Sequence, residues 1–201
     1  MLKVIFIILS MLAVLSSCTK NENIQGFDRY EIDENIQNNK IFENLNKTQE
    51  FDFGYDFRKI KKNQKRSNNL KITTELGGIK NHYDEFNSES FFYTHFDNKR
   101  TDTIIVLIDN FNGYSGEGIT LKIYKNYFKL EYLQSSDMII NTKKRDRIKI
   151  FESSLKLNKK KYQLNDSIYG YLNLKMEKNK ERINATGYFR TKITQRYQSA
   201  N

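Results

Sequence analysis

Proline and tryptophan are absent from this 201-residue chain, and cysteine occurs once. Without proline, every turn must be made from Gly, Asn, Asp or Ser. A lone cysteine excludes an intramolecular disulfide, even in a compartment that would permit one. There are two histidines, His82 and His95, and no Cys-x-x-Cys or His-x-x-x-His pair. A zinc site would need carboxylates brought from afar, and no metal is expected. No Gly-x-Ser-x-Gly elbow accompanies either histidine, so nothing points to a Ser-His-Asp arrangement. The stretch Gly113-Tyr114-Ser115-Gly116-Glu117-Gly118 lacks the Gly-Lys-Ser/Thr of a phosphate loop. With Asp109, Asn110 and Asn112 it offers oxygen ligands, but not at EF-hand spacing; it is expected to be a flexible connection. Asp84, Glu85 and Glu89 cluster, but a glycosidase pair is defined by separation in space. No cofactor is expected, and the chain reads as a non-enzyme.

What is present is aromatic and basic. Fourteen Phe and thirteen Tyr supply large burial units, and 38% hydrophobic residues against 29% charged is a globular balance. Aromatic and β-branched residues suit a pleated, half-buried surface. The net charge of +10 and pI of about 9.4 favour anionic partners through summed Coulomb fields.

The first eighteen residues read MLKVIFIILSMLAVLSSC. Lys3 precedes an apolar run from Val4 to Leu15, broken only by Ser10. That run is too short to cross a bilayer, which needs about 20 residues, and has the length of a signal-peptide core. Leu15-Ser16-Ser17-Cys18 resembles a lipobox, an aliphatic residue three before a cysteine with small residues between. The resemblance is to bacterial lipoproteins. It implies that the leader is cut before Cys18, that the thiol is diacylglyceryl-modified, and that the new amine takes an acyl chain such as palmitate. Two or three chains give lasting attachment where one does not. The following Thr19-Lys20-Asn21-Glu22-Asn23 is partly similar to the surface-export signal of Bacteroidota lipoproteins, and the chain resembles their small lipoproteins in leader and composition. Outer-membrane attachment is therefore expected, on the periplasmic or cell-surface side. Nucleic acid is not an expected partner there; an envelope protein or an acidic glycan is. The protein is expected to be a monomer.

Four regions are expected: a signal peptide (1–17), a lipidated tether (18–69), a β domain (70–195) and a tail (196–201). Within the tether, Ile36, Ile41 and Leu45 lie near helical spacing and predict one helix in Glu34–Glu50. Phe51, Phe53, Tyr55 and Phe57 alternate with polar residues as a strand would. RKIKKNQKR, from Arg58 to Arg66, is a basic run expected to be a solvated loop, with contact to anionic headgroups or glycans as the alternative.

Beyond Leu70 the period is two. Strands are predicted at Leu70–Leu76, Phe91–Phe96, Thr103–Ile108, Ile119–Tyr124, Tyr127–Tyr132, Arg147–Leu157, Ser167–Met176 and Ile183–Ile193. The unbroken apolar run Thr103–Ile108 reads as a central strand covered on both sides. The apolar phase slips between Ile150 and Phe151, predicting a bulge or bend. A two-residue turn at Lys125-Asn126 sets Ile123 against Phe128 and Leu121 against Leu130. A loop from Glu177 to Arg182 sets Gly170, Leu172, Leu174 and Met176 against Phe189, Gly187, Ala185 and Ile183, each Gly or Ala opposite a large residue. The fold class is all-β, with an antiparallel β-sandwich expected and a closed β-barrel as the alternative.

The opposite face of that last hairpin carries Tyr169, Tyr171 and Lys175 on one strand and Tyr188 and Arg190 on the other. Flat amphipathic rings with a stacking guanidinium suit a sugar or a protein partner; ordinary cross-strand pairing, or cover by the N-terminal segment or a second sheet, is the alternative. Asp102-Thr103-Ile104 and Asp166-Ser167-Ile168 resemble the acceptor motif of Bacteroidota protein O-glycosylation, which makes Thr103 and Ser167 candidate acceptors. The leading function is a non-catalytic, membrane-anchored binding module. A lipocalin-like carrier of a small apolar ligand and an envelope hydrolase are the alternatives.

Overall fold

The structure is a computed structural model and describes residues 27–48, 65–92, 103–112, 114–136 and 147–195. The expected leader, Cys18, His95, the aromatic alternation at Phe51–Phe57 and the basic run up to residue 64 lie outside these.

The domain is mostly β, as the period of two requires. Two short strands open it, β1 (Asp28–Arg29) and β2 (Glu31–Ile32). A 3₁₀ turn (Ile36–Asn38) and one short helix, α1 (Lys40–Leu45), follow. Nine strands complete it: β3 (Lys71–Leu76), β4 (Ile79–Tyr83), β5 (Asn87–Phe92), β6 (Thr103–Asp109), β7 (Ser115–Tyr124), β8 (Tyr127–Ser136), β9 (Ile148–Leu157), β10 (Ser167–Lys178) and β11 (Glu181–Gln195). They join edge to edge in the order β1-β8-β7-β6-β5-β11-β10-β9-β2, with the β3–β4 hairpin attached to β11. Of the two architectures the alternation allows, the strands follow the barrel, which is nearly closed.

Closure comes from five residues. Asp28 and Arg29 pair with Phe128 and Tyr127 of β8. Glu31 and Ile32 pair with Lys156 and Leu157 of β9. The two ends of the sheet are therefore joined through Tyr30. Its ring is buried, and its hydroxyl lies 2.9 Å from the Lys125 carbonyl and 3.0 Å from that of Lys160, sharing one proton between them. Burial raises the Tyr30 hydroxyl pKa to about 12.

The β10–β11 register is the expected one at Gly170↔Phe189, Leu172↔Gly187, Leu174↔Ala185 and Met176↔Ile183. The loop is tighter than expected. Pairing runs on to Lys178↔Glu181, and Asn179-Lys180 turn the chain with φ of 53° and 76°, the left-handed pair that a two-residue hairpin needs. The Lys125-Asn126 hairpin also holds its register, and the left-handed residue is Lys125, at φ 53°. The predicted bulge is present: Lys175 faces Glu152 and Met176 faces Ile150, so Phe151 is the extra residue. As its apolar run requires, β6 buries Ile104, Ile105 and Val106 on successive faces.

Three features depart from the periodicity reading. The hairpin β3–β4 turns on Gly77-Gly78, at φ of 59° and 86°, and the second strand carries no apolar alternation. The glycine-rich stretch is not a flexible connection: residues 115–118 form the start of β7, with Gly116 opposite Ser135 and Gly118 opposite Leu133. The glycines are there because the returning backbone is close. A Cβ at 116 would sit 2.6 Å from Phe111 Cα, and one at 118 would sit 2.7 Å from the Ile108 carbonyl oxygen. Two short pairings, β5 with β11 and β2 with β9, are parallel within an otherwise antiparallel sheet.

The interior is filled by side chains from every side of the barrel, among them Ile72, Phe86, Val106, Leu121, Leu155, Leu172 and Phe189. Gly170 makes room for one of them: a Cβ there would lie 2.4 Å from Phe189 Cζ. We expect Gly170→Ala to cost about 1–3 kcal/mol by overpacking and Phe189→Leu to relieve much of it, a coupling that urea unfolding of the double-mutant cycle measures. Tyr30→Phe leaves two carbonyls at the seam short of a donor and is expected to lower stability by about 1–3 kcal/mol, read by the same method.

Candidate functional site

The strand directions give the barrel two unlike ends. One holds Tyr30, the Lys125 turn and the 158–166 loop, and is sealed. The other gathers the starts of β7, β9 and β11, the ends of β8 and β10, and the β3–β4 tip. Here the sheet runs past the filled core. In the inward-facing row, Ile148 pairs with Lys178 and Lys178 with Glu181, while on the adjoining hairpin Leu76 pairs with Ile79. Ile79 is 69% exposed and Ile148 is 58% exposed, with Leu76 and Ile150 nearly as open.

Facing these from β7 and β8 is a hydrogen-bonded group. The Glu117 carboxylate accepts from the Tyr132 hydroxyl and, at 3.3 Å, from the Gln134 amide. Burial holds the Glu117 carboxyl above the ordinary glutamate range; those two hydrogen bonds oppose the shift and Glu181 adds to it. Burial raises the Tyr132 hydroxyl too, reinforced by its bond to Glu117 and by the charge of Glu181. A cleft of about 450 Å³ adjoins the group, lined by Glu89, Asp109 and Glu117 with Phe111, Leu133 and Gln134. Burial lifts the Asp109 carboxyl as well, against the Phe111 N–H that it accepts. The cleft lining is acidic and partly apolar, while Lys149, Lys178, Lys180 and Arg182 stand on the strands and turn of the same end.

The tyrosine face proposed from the sequence is on the outer side of β10–β11 and is engaged by the chain itself. Phe42 of α1 packs edge-on against Tyr169 at 5.1 Å and Tyr188 at 6.0 Å between ring centres. The Asn39 amide donates to the Tyr188 hydroxyl at 3.2 Å, and Arg190 donates to Asn46 at 2.6 Å and to the Arg66 carbonyl at 2.9 Å. Tyr171 leans on Tyr188 at 4.8 Å and shares a hydrogen bond with Thr186. Lys175 pairs with Glu152 at 2.6 Å, and Asn173 donates to the same carboxylate. The helix that covers this face is shorter than expected, and its buried residues are Phe42 and Leu45 rather than Ile41. Asn39 caps it by accepting the Ile41 N–H.

The other sequence candidates are placed as follows. His82 meets Thr73 across the exposed β3–β4 hairpin, 3.2 Å from its hydroxyl. Asn110 and Asn112 spend their side-chain oxygens on the N–H groups of Glu117, Tyr114 and Ser115, which ties the turn together instead of leaving ligands for a cation. Among the described residues no three His, Cys, Asp or Glu groups converge as metal ligands. Thr103 is half-buried at the start of β6; Ser167 is exposed at the start of β10, beside an Asp166 carboxylate held by Lys159 and the Gln163 N–H. The Glu117 group escaped sequence reading because it lies in a glycine-rich stretch, while its partners are ordinary strand residues.

No family model, no curated protein and no solved structure matches the chain.

Two outcomes follow. Raised carboxyl pKa values mean that Glu117 and Asp109 favour the folded state when protonated. Their contribution is complete below the ordinary values of 4.5 and 3.8 and is lost as pH rises through the folded values. Glu117→Gln is therefore expected to gain stability relative to the native chain at pH 8 more than at pH 4, by urea midpoint. Phe42→Ala is expected to cost about 3–5 kcal/mol and to make residues 27–48 the first site of limited proteolysis.

Proposed function

We propose that the chain is an envelope lipoprotein, held in the outer membrane by acyl chains on Cys18, and that its barrel is a non-catalytic module whose open end holds a protein partner. The observation that carries the binding reading is the row of exposed apolar residues, Leu76, Ile79, Ile148 and Ile150, beside the acidic Glu117 cleft. Apolar side chains left in water at a rim of charge are the signature of a protein contact.

Other readings have less support. A carrier needs a vacant interior, and this one is occupied by Leu121, Leu155, Leu172 and Phe189. A hydrolase based on His82 would need that ring in a cleft, and it lies on an exposed hairpin.

Chemical cross-linking in intact envelopes, followed by capture, tests the binding reading. Joint substitution Ile79→Lys and Ile148→Lys is expected to reduce the recovered partner at least tenfold without lowering the melting temperature; equal recovery, or a native chain that captures nothing, overturns it. For the anchor, Cys18→Ser is expected to move the protein from the membrane to the soluble fraction. A native N-terminal peptide with an unmodified thiol would refute acylation.

A further inference from the structure

The sealed end of the barrel carries a surface of its own. The Tyr30 hydroxyl binds the carbonyls of both Lys125 and Lys160, so one buried group fixes the β7–β8 turn beside the 158–166 loop. That loop is braced from within. Tyr162 donates to Asn158 at 2.8 Å, the same Asn158 oxygen accepts the Tyr169 N–H at 3.0 Å, and the Asn165 N–H reaches the Ile193 carbonyl. Its outer side presents Lys159, Lys160 and Lys161 in succession, then Leu164, which is exposed. Lys125 is exposed alongside. The acids at this end lie to the flanks: Asp166 holds Lys159 at 2.7 Å, and Glu31 holds Lys156 at 3.0 Å with Asp33 nearby. Lys160 and Lys161 form no ion pair among the described residues.

We infer that this end lies on the membrane, with Lys125, Lys160 and Lys161 against anionic lipid headgroups and Leu164 at the interface. The occupant follows from chain length as well as charge. Phe27 stands nine positions after Cys18, just before β1, whose Arg29 pairs with Tyr127 beside the Lys125 turn, and an extended chain covers at most about 3.6 Å per residue. A cysteine held at the bilayer thus leaves Phe27 within about 30 Å of it, which lets this end reach the surface, where clustered lysines are attracted to a negative leaflet within a Debye length of about 10 Å. The choice of a membrane rests on the anchor reading above. The contact itself is a property of the barrel and is measured without acyl chains.

The experiment uses the chain from residue 18 onward carrying Cys18→Ser, mixed with vesicles of phosphatidylcholine alone or with added phosphatidylglycerol. Cosedimentation is expected with phosphatidylglycerol, weakening as salt is raised. Lys125→Gln, Lys160→Gln and Lys161→Gln together are expected to reduce it at least tenfold. Two control triples are expected to retain it: Lys149→Gln, Lys180→Gln and Arg182→Gln at the open end, and Lys61→Gln, Lys62→Gln and Lys65→Gln in the basic run. With no other cysteine in the chain, an environment-sensitive dye on Leu164→Cys is expected to shift to the blue on these vesicles more than one on Ile79→Cys. Failure of the native surface to bind, an undiminished first triple, an equal loss in either control, or an equal or larger shift at position 79 would each overturn the inference. Acylation is read separately by mass, so loss of the headgroup contact and loss of the anchor are distinct results.

Discussion

A strand edge is a row of N–H and C=O groups that must find partners or face water, and the barrel exists because its two free edges meet across a single strap. Strands β8 and β9 do not pair with each other along the seam. Residues 28–32 stand between them, bonded to β8 on one side and to β9 on the other. Tyr30, in the middle, turns its ring into the core and its hydroxyl onto two loops. The side chain of Ser153 in β9 donates to Asp28 and adds a tie on the same line. Without this strap the sheet would expose two edges and the apolar layer beneath them, a known route to edge-to-edge association.

The second organising element is β11. One edge is given wholly to β10. The other is shared by β3, then by the segment at Ser67–Asn69, then by β5. Gly187 sits where the chain crosses closely, since a Cβ there would lie 2.6 Å from Leu70 Cα. Asn68 is buried at this junction and spends its side chain fully: the amide donates to the Phe86 carbonyl and to Ser88, and the oxygen accepts the Leu70 N–H. A buried amide with every role filled fixes the geometry of a crossing instead of weakening it.

The parts of this fold that sequence reveals are those where a side chain reports its own neighbour. Opposing Gly170 to Phe189 and Ala185 to Leu174 gave one register to the β10–β11 hairpin, and the phase slip at Ile150–Phe151 marked the bulge. The strap could not be read in the same way, because two strands of two residues each have no period. The covering helix was visible as a helix but not as a cover: its six residues place Phe42 inward, and what it touches is set by distant strands. Strand β4 was hidden because both its faces are exposed, so its composition carries no alternation. The acidic group at the open end was hidden for a related reason. Glu117 became distinctive only when β7 and β8 set it beside Tyr132 and Gln134.

The arrangement of β11 bears on how the molecule comes into being. Its partners are more than 90 positions upstream in β5 and more than 100 upstream in β3, and the strap closes onto strands roughly as distant. Loops of that length must be ordered before their contacts repay the entropy, and topologies dominated by such pairings fold in milliseconds to seconds, not microseconds. The sheet therefore cannot be completed until β11, at the end of the described chain, is available to join β10, β3 and β5.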